Sequence, residues 1–316
     1  MSSLGVSDRA SRAEVLRPLE LHRPSTVADA ADLMGELGED ATLYAGGTEL
    51  LLLMKEGLLR VRHLVDIKRI AGLGAIGADG ETLEIGATAT YRTVERSSLI
   101  RERCPLVAGG AQHVANVRVR NVGTVGGNLT FADPQSDPAT LLLALDAVVR
   151  LASPHGAREV PLGEFVRGPY ETVRERHEVL TSIRLRPWPP GTPATYLKFG
   201  VHERPMLGIA LALMLDGRRG DVVGARLAVG CVGPRPERLT EVEERFCGRS
   251  LADLPGEIDE IAALASRTVA TVPDLHGTAE YKRELVRVFV RRAFRVAAAR
   301  ARGHSTNERY PYTVVV

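Results

Sequence analysis

Apolar residues at Val27, Ala30, Ala31, Met34 and Leu37 repeat at the spacing of one helix face. With Ser25 or Thr26 as cap and Gly38 as stop, the pattern predicts a helix over 26–37. A short strand at 42–44 runs into Gly46 and Gly47, and LLLLMKEG then predicts a short helix ending at Gly57. A strand at 63–67 completes an α/β unit, which we end at residue 71.

From residue 72 the pattern becomes alternating and glycine-punctuated (GLGAIGADGETLEIGATAT). Helical spacing returns after Tyr91, toward Arg101, and again over 106–114; VRVRNVGTVGGN reads as a loop and 138–145 as a helix. Strands are expected at 148–152 and 179–185, separated by a loop over 161–167. RPWPPGTP, with four prolines and a glycine, marks a boundary. Beyond it lie TYLKFG, strand-like stretches at 209–215 and 225–232, and helices at 250–269 and 279–302, an α+β order with a small antiparallel sheet. The expected organisation is a loose tail over 1–17, units over 18–71, 72–190 and 191–302, and a C-terminal tail over 303–316.

Composition is that of a globular protein: 44% hydrophobic and 25% charged in 316 residues. The longest apolar runs, LLLLM and LLLALDAVV, are too short to span a bilayer, and with no signal-like core a cytoplasmic location is expected. A formal charge of +2 argues against nucleic acid as a partner. Cys104, Cys231 and Cys247 are too dispersed for an iron–sulfur cluster, and the eight histidines lack paired ligand spacing, so no protein-bound metal is expected. Arg283, Arg287, Arg291 and Arg295 line one helix face, which reads either as a solvated face or as a docking stripe.

The candidate chemistry lies in two glycine segments, AGGTEL and TVGGNLTFADPQSD, about eighty residues apart. Small residues let backbone N–H groups approach an anion, and neighbouring hydroxyl and amide groups add donors, so the pair suggests a diphosphate clamp of a dinucleotide site. The literal GxGxxG at Gly72, Gly74 and Gly77 is a decoy: a turn and a strand-like TLEIGA follow it, where a dinucleotide fingerprint needs a long helix.

Taken in order, AGGTELLLLMKEG, LVDI, VRNVGTVGGNLTFADPQSD, YLKF and GTAEYKRELVRVFVRRAF resemble the FAD-binding medium subunit of molybdenum hydroxylases, the family of carbon monoxide dehydrogenase flavoproteins and xanthine dehydrogenase flavin domains. The likeness runs from about Leu19 to Phe294. It implies an α+β chain: a flavin fold of the vanillyl-alcohol-oxidase (PCMH) type with two α/β subdomains, plus a C-terminal α+β domain. It also implies a role in electron transfer. A molybdopterin-binding large subunit and a 2Fe-2S small subunit would be partners, and FAD would pass electrons to NAD or another acceptor.

Carried over by position, Leu43, Tyr44, Ala45, Gly46, Gly47, Thr48, Glu49 and Leu50 would wrap the pyrophosphate, and Thr124, Val125, Gly126, Gly127 and Asn128 would form a second wall. Asp137 matches the family's flavin-binding aspartate, Val179 and Leu180 match apolar residues beside the ring, and Lys198 matches a lysine near the flavin. Such a lysine would stabilise charge that develops on reduction. Read singly, each glycine pair is a turn, Asp137 a helix cap and Lys198 a surface lysine. Two departures stand out. Met206 and Leu207 occupy a stretch where many relatives carry an acidic residue, and no cysteine-bearing insertion follows Asn128. With no protein-centred catalytic constellation in view, two other readings stay open: a stand-alone FAD-dependent oxidoreductase acting on a small molecule, and a flavin-free docking module.

Overall fold

Three main sheets follow one another along the chain, and the computed structural model describes residues 18–200, 204–217, 220–304 and 309–316. The first contains β1 (Glu20–His22), α1 (Val27–Leu37), β2 (Ala41–Tyr44), α2 (Leu50–Lys55) and β3 (His63–Asp66). Its strands are all parallel, in the order β1-β3-β2. A capping box opens α1: Thr26 Oγ1 accepts from the Asp29 N–H while the Asp29 carboxylate accepts from the Thr26 N–H. Behind it Ala30, Ala31 and Met34 pack with Val65, Ile67 and Val179, the last contributed by a distant strand.

The second sheet begins with the hairpin β4 (Ile76–Asp79) and β5 (Thr82–Gly86), so no helix follows the GxGxxG stretch. Six helices come next: α3 (Tyr91–Arg96), α4 (Ser98–Arg103), α5 (Pro105–Gln112), α6 (Val117–Val122), α7 (Val125–Phe131) and α8 (Asp137–Ala144). The chain returns through β6 (Val148–Ser153), β7 (Gly156–Pro161), α9 (Leu162–Phe165), β8 (Val166–Gly168), β9 (Glu171–Thr172) and β10 (Val179–Leu185). The sheet order is β4-β5-β10-β6-β7, with β8 and β9 paired separately. Where β10 meets β6 the register slips between Leu180 and Ser182, and the carbonyl of the extra residue, Thr181, accepts from the Ala87 N–H.

The third sheet is antiparallel, with the order β14-β13-β12-β11-β15. It comprises β11 (Ala194–Phe199), β12 (Leu207–Leu215), β13 (Val222–Gly230), β14 (Glu237–Arg238) and β15 (Thr313–Val315), and it is joined by α10 (Thr240–Phe246), α11 (Leu254–Thr268) and α12 (Ala279–Ala301). Strand β12 reads LGIALALML and is buried along most of its length: α12 and α8 both pack against it. No helix among the described residues is long and apolar enough to cross a membrane.

The structure corrects four expectations. VRVRNVGTVGGN is not a loop: Asn116 caps α6 by accepting from the Arg118 and Val119 N–H groups, and Thr124 caps α7 through the Gly127 N–H. The glycine pair hides α7 because glycine opposes helix formation, yet close packing offsets that cost. Residues 161–167 are not a loop: Pro161 ends β7, and 162–167 form α9 and part of β8. The stretch after Tyr91 breaks at Ser97, which caps α4. The terminal segment supplies β15, whose pairing with β11 is fixed by long-range hydrogen bonds rather than local pattern. Along α12, Arg283 and Arg287 pair with Glu280 and Glu284, and Arg291 with Asp259 of α11. These pairings favour the solvated-face reading of the stripe.

Candidate cofactor site

The two glycine segments border one cleft of about 280 Å³. Strand β2 delivers the first, and Gly47 adopts φ +70°, a left-handed turn that suits a residue without Cβ. The loop crosses to the second unit at Gly46, where an added Cβ would fall on the Val122 carbonyl. Among the described residues, the N–H groups of Gly46, Gly47, Thr48 and Glu49 meet no protein acceptor. They form a set of donors available to an anion.

The second segment is built differently. Val125 and Gly126 donate to the Ala89 and Ala87 carbonyls, at 3.0 and 2.9 Å, Gly127 to Thr124 Oγ1 at 3.1 Å, and Asn128 to the Thr124 carbonyl at 3.0 Å. The backbone donors from Val125 to Asn128 are therefore already occupied. Glycine is needed here for packing, because a Cβ on Gly126 would lie 2.7 Å from both the Cβ and the carbonyl oxygen of Ala87. What this wall offers is surface: Gly126, Gly127 and the Asn128 side chain, whose Oδ1 accepts from Ser136 Oγ at 2.6 Å.

Asp137 lines the cleft, but it does not cap α8; Ser136 does. Asp137 instead accepts from Lys198 Nζ at 2.7 Å and Tyr196 Oη at 2.6 Å, with both members of the ion pair 8% exposed. Burial pushes its carboxyl upward, opposed by the Lys198 ammonium. Lys198 also donates to the His113 carbonyl at 3.0 Å and does not line the cleft, so it anchors β11 to the second wall through Asp137.

The remaining predicted residues divide. Leu43, Ala45, Thr48, Glu49, Leu50, Thr124 and Leu180 border the cleft. Tyr44, Val125 and Val179 do not: Tyr44 lies under Lys68 Nζ, 3.6 Å from the ring centroid, and Val125 and Val179 sit in the second and first cores. Strand alternation accounts for Val179, since neighbours on β10 point to opposite faces.

Sequence reasoning missed three side chains. Tyr91 is held by its N–H bond to the Gly123 carbonyl; its hydroxyl is buried with no partner among the described residues, and the phenol pKa is pushed up by burial and by the charges of Asp137 and Glu49. Arg174 lines the cleft while its guanidinium donates to the carbonyls of Glu175, Arg176 and Glu178, which fold their own turn around it. Arg204 spans the mouth, donating to Asp133 Oδ2 at 2.7 Å and to Glu49 Oε2 at 3.1 Å. The orphan Tyr91 hydroxyl, the open donors of the first loop and two arginines make the cleft a fit for a nucleotide carrying a diphosphate.

Known proteins point the same way. The profile described as FAD binding domain in molybdopterin dehydrogenase matches residues 17–188, and that of the CO dehydrogenase flavoprotein C-terminal domain matches 201–297. The chain is 35% identical to the carbon monoxide dehydrogenase medium chain of Hydrogenophaga pseudoflava, over 89% of this chain and 97% of that one. It is 29% identical to the xanthine dehydrogenase FAD-binding subunit of Escherichia coli O157:H7, over 89% and 97%. A solved structure of carbon monoxide dehydrogenase from H. pseudoflava, lacking the Mo-pyranopterin moiety of its cofactor, superposes with a TM-score of 0.86 at 34% identity, covering 90% of this chain and 99% of that one. The chain therefore belongs to the FAD-binding medium subunits of the molybdenum hydroxylase family.

Proposed function

We propose that this chain is the electron-transfer subunit of a heteromeric molybdenum hydroxylase, assembled with a molybdopterin-binding large subunit and a 2Fe-2S small subunit. The redox chemistry is supplied by bound FAD, with electrons arriving from partner clusters and leaving to NAD or another acceptor. The observation that carries the reading is the set of unpaired N–H groups from Gly46 to Glu49 facing a packed second wall. Those donors hold the diphosphate, and the Asn128 amide and Tyr91 hydroxyl add polar contacts. Leu180 and Pro205 give the cleft apolar wall, and the Glu49–Arg204–Asp133 bridge limits water entry at the mouth. The dispersed cysteines of this chain are consistent with clusters carried by another subunit.

The test is purification of the chain alone and with co-expressed partners, followed by the flavin spectrum and reduction assays. A yellow chain that turns over only with molybdenum and iron–sulfur partners supports the proposal. A colourless chain that does not take up FAD overturns it, and unaided oxidation of a small molecule would favour the stand-alone reading.

A further inference from the structure

At the edge of the first sheet, outside both glycine segments, three ligand-type side chains meet. Parallel pairing sets Glu20 beside His63 and His22 beside Val65, so Glu20, His22 and His63 fall on one face by strand alternation. His22 Nε2 lies 3.1 Å from His63 Nδ1. The Glu20 carboxylate lies 3.8 Å from His22 Nε2 and 3.5 Å from His63 Nδ1. One ligand atom from each of the three side chains lies within 4.8 Å of the other two.

We infer that Glu20, His22 and His63 form a site for a divalent transition-metal ion of the zinc class, clipping β1 onto β3. Two imidazole nitrogens bound to one zinc at about 2.05 Å stand roughly 2.9 Å apart at a right angle and roughly 3.3 Å apart at the tetrahedral angle. The observed 3.1 Å lies between these values. In the metal-free protein one ring donates a proton to the other; an ion would replace that proton and take both lone pairs. The histidine side chains are each 19% exposed, while that of Glu20 is 67% exposed. The imidazoles are thus largely fixed and the carboxylate free to close by a few tenths of an ångström, leaving a fourth position open to water. Nitrogen donors with one carboxylate favour zinc, nickel or copper over magnesium or calcium. Asp40, the other carboxylate whose charge reaches His63, is engaged by Arg62 and leaves the trio to the ion. Strand β1 has only three residues, so a tie to β3 would hold the start of the sheet that ends in the first glycine loop.

The experiment takes the full-length, FAD-loaded chain, strips metal with a chelator and titrates Co2+ and Zn2+ by calorimetry and visible absorption at neutral pH. One equivalent is expected to bind, with a Co2+ spectrum of low coordination number and a raised melting temperature. His22→Ala and His63→Ala should each weaken binding at least a hundredfold, and Glu20→Gln about tenfold. Unchanged flavin content in each variant reports an intact fold; His63→Gln replaces any variant that loses flavin. No uptake by the wild-type chain, or uptake unchanged by the histidine variants, would overturn the site.

Discussion

Both glycine pairs look alike on paper and do opposite work in the fold. At 46–49 glycine frees the backbone: Gly47 takes a left-handed conformation and four consecutive N–H groups are left without acceptors among the described residues. At 124–128 glycine compacts the backbone: every backbone donor from Val125 to Asn128 is occupied and Gly126 lies against Ala87. The first segment is a binding element supported by a scaffold, and the second is part of the scaffold. A glycine pair is therefore evidence of an anion site only where its N–H groups are free.

If the second wall is scaffold, the largest effect should come from its deepest support. Lys198→Met leaves the Asp137 carboxylate buried without its cation and should cost about 3–5 kcal/mol in urea unfolding of the flavin-free chain. The double variant with Asp137→Asn should recover much of that loss. Overpacking comes next. Gly126→Ala should lower apo stability by about 1–3 kcal/mol, because the colliding atoms belong to Ala87 and to backbone.

Gly47→Ala should divide the two segments the other way. Its left-handed backbone costs alanine about 1–2 kcal/mol. Fluorescence titration should register this as roughly tenfold weaker FAD binding. Its urea midpoint should move less than that of Gly126→Ala. An equal loss of stability without loss of affinity would place Gly47 in the scaffold too.

The smallest effect concerns the turn that presents Arg174. Burial pushes the Glu178 carboxyl up, but hydrogen bonds from Arg158 and the Glu175 N–H, with the charges of Arg158 and His177, outweigh it, and the pKa lies below the ordinary 4.5. A depressed folded pKa means stability that is complete above about 4.5 and lost as pH falls through the folded value. Glu178→Gln should lower stability near neutrality and flatten the acid limb of the stability–pH curve below pH 4.5, where the wild-type chain loses the same contribution.

How much of this was legible beforehand follows the range of the interactions. The α1 helix, β2, β3 and the order in which both glycine segments occur could be read because periodicity, caps and turn residues act over a few positions. Helix α7 was misread because its local composition opposes the packing that stabilises it. Asp137 and Lys198 carry local signals of their own, but the ion pair that joins them, with Asp137 lining the cleft and Lys198 behind it, depends on β11 meeting α8 across 61 residues. The Arg204 bridge joins residues 155 apart, and the two histidines that meet at β1 and β3 are 41 apart. Such pairs leave no spacing for a linear pattern to detect.

Amide hydrogen exchange with and without FAD tests the contrast most directly, because it reads the N–H groups themselves. Peptides covering 46–49 should exchange rapidly in the flavin-free chain and become protected when FAD binds, while those covering 125–128 should be protected in both states. Protection that appears on FAD binding at 125–128 instead, with 46–49 unchanged, would contradict the assignment of donor and scaffold.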